Sequence, residues 1–514
     1  MKTISKTTFL LLVALVTISS TSYGQFDTIA FIKNEKAKII KDLKDTDIKG
    51  FAIAFFDTNK VIWSEGWGHL NNENDSLVND KSIFAIHSMS KTFTATAVMF
   101  AVQDGLVDLD TPIIKYLPNF KVNSCFENNP ETKITLRYLL GHAAGFTHEA
   151  PIGNNYDASC PDNESHYKSI QTTWLRCRVG SEYHYSNLGI DLAAQIPEKV
   201  TGMPFYEYLK QKIFVPLQMN STTANPDELV NNQNKAEGNL LGLASLPYKV
   251  PFIGAGGVYT NAEDLPKFVQ FHLNLGKVNG KQLLEYKYLY EMYTPFIVKN
   301  YALGINLEVK KDYYSLFHDG SGFGFGSSMM WFPEYGIGCI ALGNYQVECL
   351  LEKYVGWVLK DYVKENNLQK IQLSHPFDPS KALEIKQSGN SVNCVTVCYR
   401  PMENTNKTDT VTYNWKDIHF KDEWEKYTGT YIIEMGGGFE FKWYGKIARV
   451  LKIFPRIHVY EKDSCLYLKE NPTGLKYLNE VQLFEYLPGL FFTSEGEALD
   501  FRGNTNSYRN LKLE

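Results

Sequence analysis

The stretch that most constrains this chain runs from Phe84-Ala-Ile-His87-Ser88-Met89-Ser90-Lys91-Thr92-Phe93 into the apolar segment Thr94–Val102 and stops at Asp104-Gly105. It reads as a buried helix that begins with a serine: Ala, Met, Phe and Val fill the run, and Gly105 stands where a helix C-terminus is expected. Residues three apart share a helix face, so the Ser88 hydroxyl and the Lys91 amine point into one space. An alkyl hydroxyl reacts near neutral pH only when something accepts its proton, and a lysine accepts it only when burial or positive surroundings depress its pKa. The alternative is a helix-capping serine beside a snorkelling lysine. Ser-x-x-Lys also recurs at Ser165-His-Tyr-Lys168, in a polar stretch with no helical pattern, so the motif alone decides nothing.

With 514 residues, 44% hydrophobic and 21% charged, the composition is ordinary for a globular chain of about two to four domains. The net charge of -5 comes without a long basic block, so no nucleic-acid partner is expected. Lys2 and Lys6, the apolar core Phe9–Val16 and Ser22-Tyr23-Gly24 before Gln25 mark residues 1–24 as a secretory signal peptide. The expected location is therefore periplasmic or secreted. The apolar run falls short of the roughly 20 residues of a spanning helix, so no stable membrane span is expected after signal removal; an uncleaved anchor is the alternative. The chain has eight cysteines, too few for a disulfide scaffold. Cys160 and Cys177 bracket a polar loop and are the best candidate pair, with free thiols the alternative. No Cys or His shows zinc spacing, and no metal or cofactor is expected.

Along the chain, Asp27–Asp45 has the spacing of an amphipathic helix, and Gly50–Phe56 with Val61–Trp67 reads as a hairpin on which it packs. Ile134–Leu140 reads as a short helix. The polar excursion from about Thr147 to Arg178 is longer than compact loops usually run and suggests a lid or pocket wall. Tyr185 and Asn187 are two apart, so an extended or loop backbone turns both toward one cleft, although Tyr-x-Asn recurs at Tyr477 and Tyr508. Gly254–Asp264 begins as a glycine turn and leads into a helix. Tyr313–Phe317 and Ser327–Phe332 read as strands joined by the glycine-dense connection His318-Asp319-Gly320-Ser321-Gly322-Phe323-Gly324-Phe325-Gly326. Glycines there let a substrate lie against the backbone and an N–H point at it. Residues 25–365 are read as one large domain, 366–420 as a connecting segment, and 421–514, with short aromatic alternating runs, as a small β-barrel or sandwich.

Taken in order, Ser88-x-x-Lys91, Tyr185-x-Asn187 and His318-x-Gly320 resemble the motifs of the serine β-lactamase and penicillin-binding-protein superfamily, most of all its class C β-lactamase-like branch of esterases and D-peptidases. Leu139–Phe146, Pro216–Met219 and Gly254–Asp264 resemble that branch too, and Trp424–Glu514 resembles the lipocalin-like domain often appended to such enzymes. The resemblance implies an α+β fold of the β-lactamase/transpeptidase type: an antiparallel sheet flanked by helices, a helical lobe, and a separate small C-terminal β-domain. It implies that Ser88 is acylated, that Lys91 shares base duty and that Tyr185 relays the proton. Asn187 would hold the substrate carbonyl or amide, His318 and Gly320 would line the site, and the N–H groups of Ser88 and Ser321 would form the oxyanion hole. The implied substrate is a small ester, amide or peptide, D-peptides included, with a β-lactamase or a silent binding protein on the same fold as competing readings. Two departures stand out: His318 replaces the lysine many β-lactamases carry, and His87 occupies a position where a small residue is expected, either wedged in the core or reaching the pocket.

Overall fold

The computed structural model describes residues 26–371 apart from 45, 47, 72–75, 125, 154–161, 241–243, 247–253, 323 and 346–349; beyond 371 it describes 394–399, 409–414, 422–432, 456–462, 465–471, 478–487, 490–493, 498–500, 507–508 and 511–512. The expected signal peptide, Cys160 and much of the expected connecting segment lie outside the described residues. No helix among the described residues is long and apolar enough to cross a membrane.

The first helix, α1 (Thr28–Leu43), starts where Asp27 accepts a hydrogen bond from Ala30 N. The hairpin β1 (Gly50–Asp57) and β2 (Val61–Gly68) follows, as expected for Gly50–Phe56 with Val61–Trp67. The helices α2 (Ser90–Gln103), α3 (Leu136–Leu140), α4 (Asn163–Ile170), α5 (Asn187–Thr201) and α6 (Leu265–Leu273) build the helical lobe. The chain then returns through β3 (Asn306–Val309), β4 (Tyr314–Gly322), β5 (Phe325–Phe332) and β6 (Ile337–Gly343) to α7 (Leu350–Glu365). The six strands form one antiparallel sheet in the order β2-β1-β6-β5-β4-β3.

Strand alternation explains why this sheet is covered on both sides. Along β1, Phe51, Ile53 and Phe55 face α1 and α7, where Phe31, Ile39, Tyr354, Val355 and Leu359 meet them. Ala52, Ala54 and Phe56 face the helical lobe, with Phe93, Phe268 and Val269. Burying both faces requires strands that are mostly apolar: β6 and β5 are buried at every residue, with only Ser327 and Ser328 polar, and β1 is buried up to Asp57.

Three local expectations are corrected. The α-helix begins at Ser90 rather than at Ser88, which sits in a preceding single 3₁₀ turn, His87–Met89. The His318–Gly322 run is not a connection; it is strand, paired residue by residue with β5, and the turn falls beyond it at Gly324, whose φ is 78°. Ser165 and Lys168 lie on α4, a helix the polar composition hid, and Lys168 there pairs with Glu164 on the surface. Cys177 is a buried free thiol.

Among the described residues, the C-terminal strands from Gly429–Ile432 to Leu511–Lys512 pair in chain order as an eight-stranded antiparallel meander. Trp424, Ile457, Val459, Leu466, Leu468, Leu483, Phe491 and Leu499 form its apolar cluster, which shares no residue with the two clusters of the main sheet. Separate cores mean separate stabilities. A chain ending at Phe420 is therefore expected to be soluble and to unfold cooperatively, with the main domain's melting temperature kept within about 2 °C, a shift of about 1 kcal/mol for a domain of this size. An insoluble product would show that the C-terminal strands complete the core.

Candidate active site

Helix α2 is buried on every side, and its polar side chains are satisfied internally. Thr92 Oγ1 donates to Gly304 O at 2.8 Å, Thr94 Oγ1 to Gly254 O at 2.7 Å and Thr96 Oγ1 to Thr92 O at 2.8 Å. From Ser82 to Ala101, Ser88 alone is not buried. Its hydroxyl, 3.0 Å from Lys91 Nζ, stands at the mouth of a sealed compartment. Lys91 Nζ also donates to Ala255 O at 2.9 Å, and the amine lies 4.8 Å from the centre of the Tyr185 ring. Burial lowers the lysine pKa from its usual 10.5 to about 7, against the opposing charges of Asp191 and Glu149. A helix-capping role for Ser88 is not seen: neither the turn nor α2 has a side-chain cap.

Tyr185 and Asn187 converge on the same place. Ser186 caps α5 by accepting from Gly189 N at 3.1 Å, so the backbone is extended at Ser186 and helical from Asn187. The Tyr185 hydroxyl is hydrogen-bonded to Ser88; burial pushes its pKa up, and that bond works against the rise. Asn187 is buried, and its Nδ2 donates to Glu149 Oε1 at 2.7 Å while its Oδ1 has no protein partner. Glu149 also contacts His148 Nδ1 at 3.0 Å, and the His148 ring stacks on Tyr185 at 5.5 Å. Glu149 and His148 begin the excursion read as a pocket wall. Sequence spacing did not single them out as site residues, because their role comes from a loop folding back on α5.

His318 and Gly320 arrive on β4 with the alternation that sends Tyr314 and Leu316 to the helical lobe. Gly320 is required by a close approach: a Cβ there would lie 2.0 Å from the carbonyl oxygen of Ile86, two residues before Ser88. Ser327 Oγ donates to the same carbonyl at 2.8 Å. Asp319, one residue out of phase, turns to the opposite face near Ser328 and Glu352, where burial raises its carboxyl to about 7. Its backbone carbonyl, not its carboxylate, meets His318 Nδ1 at 2.7 Å.

That contact fixes a tautomer, since a carbonyl only accepts. His318 Nδ1 bears the proton, and Nε2 faces Tyr301 Oη at 3.5 Å. His142 Nδ1 accepts from Ser186 N at 3.1 Å, so His142 Nε2 carries the proton it gives Tyr301 Oη at 3.0 Å. The chain thus runs one way: Ser186 N–H, His142, Tyr301, His318, Asp319 O. Burial, reinforced by the Lys91 charge, lowers His318 to about 3 and His142 well below its usual value. Both rings are neutral. Tyr301 was not singled out from sequence, and nothing in its surroundings there marks it.

His87 is wedged in the core. It takes φ 44°, a left-handed value that costs a non-glycine residue strain. Its ring lies 6.0 Å from Phe325 and fits because a Cβ on Gly322 would come within 3.0 Å of Nδ1. Neither ring nitrogen has a protein partner, and burial, then the charge of Lys91, lowers the ring to about 3.

The beta-lactamase family profile matches residues 36–352, which contain this whole arrangement, and the chain belongs to that family. Beta-lactamase-like protein 4 of Dictyostelium discoideum is 28% identical over 276 residues, 49% of this chain and 48% of that protein. Protein flp of Staphylococcus aureus is 25% identical over 339 residues, 64% and 65% respectively. The chain therefore spans between 48% and 65% of the length of these curated relatives. Among solved structures, the octameric penicillin-binding protein homologue from Pyrococcus abyssi has a TM-score of 0.57 at 19% identity, covering 94% of this chain and 99% of that one. D-alanine carboxypeptidase AmpC from Burkholderia cenocepacia has a TM-score of 0.56 at 21% identity, covering 65% and 100%. These likenesses show the fold, and family membership supports hydrolase activity in general terms.

The one-way chain makes a specific demand on Tyr301. Tyr301→Phe leaves the buried His142 Nε2–H without an acceptor, so it is expected to destabilise the protein by about 1–3 kcal/mol in urea unfolding. A loss well under that range would mean the hydroxyl carries little.

Proposed function

We propose that this chain is an exported serine hydrolase that cleaves small neutral esters, amides or peptides through an acyl-enzyme on Ser88. The observation that carries the reading is a proton-poor amine 3.0 Å from the one half-exposed hydroxyl of an otherwise buried helix start. In the acylation step Lys91 accepts the Ser88 proton as Oγ bonds to the carbonyl carbon. The oxygen that becomes negative meets the backbone N–H groups of Ser88 and Ser321, and Tyr185, hydrogen-bonded to Ser88, returns the proton to the leaving group. Asn187 orients the substrate's carbonyl or amide. Water then releases the acyl group by the reverse sequence.

Neutral His318 favours an uncharged substrate over an anionic β-lactam. A lysine there would supply a fixed cation, whereas an imidazole lowered to about 3 supplies none. Asp319 does not change this, because its carboxyl is on the other face of the sheet.

Two measurements test the proposal. A fluorophosphonate should label Ser88 and no other serine, and Lys91→Arg should abolish labelling, since arginine stays protonated at any working pH. Label on Ser90 or Ser321 would refute the mechanism. For a small aryl ester, kcat/KM should rise as pH increases through about 7, because the lysine loses its proton over that window. At pH about 7 it should exceed kcat/KM for a chromogenic cephalosporin; cephalosporin turnover above about 10⁴ M⁻¹s⁻¹ with slower ester cleavage would restore the β-lactamase reading.

A further inference from the structure

Behind Lys91 lies a second hydrogen-bonded row that the mechanism above does not use. Ala255, whose carbonyl takes one Lys91 N–H bond, donates its own N–H to Asp191 Oδ1 at 2.8 Å. Asp191 is buried on α5, and its other oxygen, Oδ2, faces His166 Nε2 at 3.2 Å. His166 is buried too, on α4, and its Nδ1 meets Ile152 O at 2.7 Å. The Ala255 turn is seated on α5: a Cβ on Gly254 would lie 2.6 Å from Ala194 Cβ and 3.0 Å from Ile190 O. A row of four contacts therefore joins the excursion helix to the Ser88 hydroxyl: His166, Asp191, Ala255, Lys91, Ser88.

The protons in this row follow from the acceptors. Ile152 O only accepts, so His166 Nδ1 carries a proton. The contact between Nε2 and Asp191 Oδ2 then closes with a second ring proton, which the Asp191 bond and charge favour. With that proton the pair is electrically neutral overall; without it, the pair has one net negative charge next to the lysine's support.

We propose that His166 and Asp191 are a positioning pair for Lys91. Through the Ala255 backbone they fix the acceptor that aims the amine at Ser88, and through their joint charge they set how readily that amine is proton-free. The groups that bear on the row come from several elements. Lys91 is faced by Asp191, Glu149, the Tyr185 ring and the neutral rings of His87, His142 and His318. His166 is faced by Asp191 and Glu149; burial works to lower its pKa, and the Asp191 bond and charge outweigh that and raise it. Asp191 also bears on the buried Tyr167 phenol beside it.

This inference rests on Lys91 being the base for Ser88, and its test keeps the two apart. The rate of Ser88 labelling by a fluorophosphonate is measured from about pH 5 to 9 in the full chain and in two variants. Asp191→Asn keeps an oxygen for Ala255 N–H and removes the negative end of the pair, the end that stands next to Lys91's support and favours its proton, so the midpoint of the rise should move down by about half a pH unit or more. His166→Gln leaves the anion without its proton partner, so the midpoint should move up by about as much. Opposite displacements are the signature, because a merely structural role would slow labelling without splitting the midpoints. Equal, same-direction or absent displacements would overturn the inference while leaving Ser88 and Lys91 in their roles; no labelling of the unaltered protein would overturn both. The ¹⁵N signals of His166 in the unaltered protein give a readout that needs no variant. A proton on Nδ1 throughout that pH range is expected, and a ring protonated on Nε2 alone would refute the geometry.

Discussion

A lysine amine sealed from water is the constraint on which the rest of this site depends. Taking an ammonium out of water is unfavourable by several kcal/mol unless it is paired and hydrogen-bonded, so the surroundings of Lys91 decide which of its two forms exists. Burial pushes toward the free amine, and Asp191 and Glu149 push back, leaving the balance at about 7. Under the proposed function, neither influence alone would give a working base. An unopposed burial would leave an amine too weak to take a hydroxyl proton, and an exposed lysine would keep its own proton near neutral pH. The all-round packing of α2 and its threonine bonds to Gly304 and Gly254 are what make the compartment dry enough for that balance to matter.

The sheet contributes by its period of two. One strand, β4, has to bring an imidazole to the helical lobe, keep a carboxylate out of it, and lie against the turn that carries Ser88. Alternation does the first two by placing His318 and Asp319 on opposite faces, and the missing side chain of Gly320 does the third. The closeness also explains Ser327, whose hydroxyl meets the Ile86 carbonyl from the neighbouring strand. The strained backbone at His87 lies on the same turn, where the chain passes from the Phe84–Ala85 strand into α2.

The elements with their own periodicity were legible in the sequence: α1, the β1–β2 hairpin and the short helix α3. So were the residues of the three motifs, because their order along the chain carries information that each lacks alone. Boundaries set by tertiary contact were not. The α2 start slips two residues beyond Ser88, after a 3₁₀ turn that opens on the left-handed His87, whose ring occupies the space over Gly322. The glycines of His318–Gly322 looked like a turn, yet the strand continues because its pairing with β5 and the approach of Ile86 favour missing side chains over a bend. Glu149, His148, Tyr301 and the His166–Asp191 pair were hidden for a common reason. Each gains its place from a segment distant in sequence, and each is an ordinary polar residue until that segment arrives.

What the assembled site lacks in charge is as informative as what it holds. Three imidazoles, His87, His142 and His318, are packed around Lys91, and in all three burial, with the lysine's own charge, disfavours protonation. Each additional cation in that space would raise the energy of the others, and the Lys91 charge accordingly works against protonation of all three rings. His142 and His318 keep their hydrogen-bonding direction, which locks the Tyr301 wall behind Tyr185. An anionic substrate approaching Ser88 would then find at most one cation, with the Glu149 and Asp191 carboxylates behind it. Under the proposed function, a neutral carbonyl approaching the same serine needs no counter-charge until its oxygen becomes negative during attack, when the proposed backbone N–H dipoles would meet a charge that exists only in the transition state. Under the proposed function, neutrality of the walls is thus what separates ester-like substrates from anionic ones, and it follows from burial of the histidines rather than from the identity of any single residue.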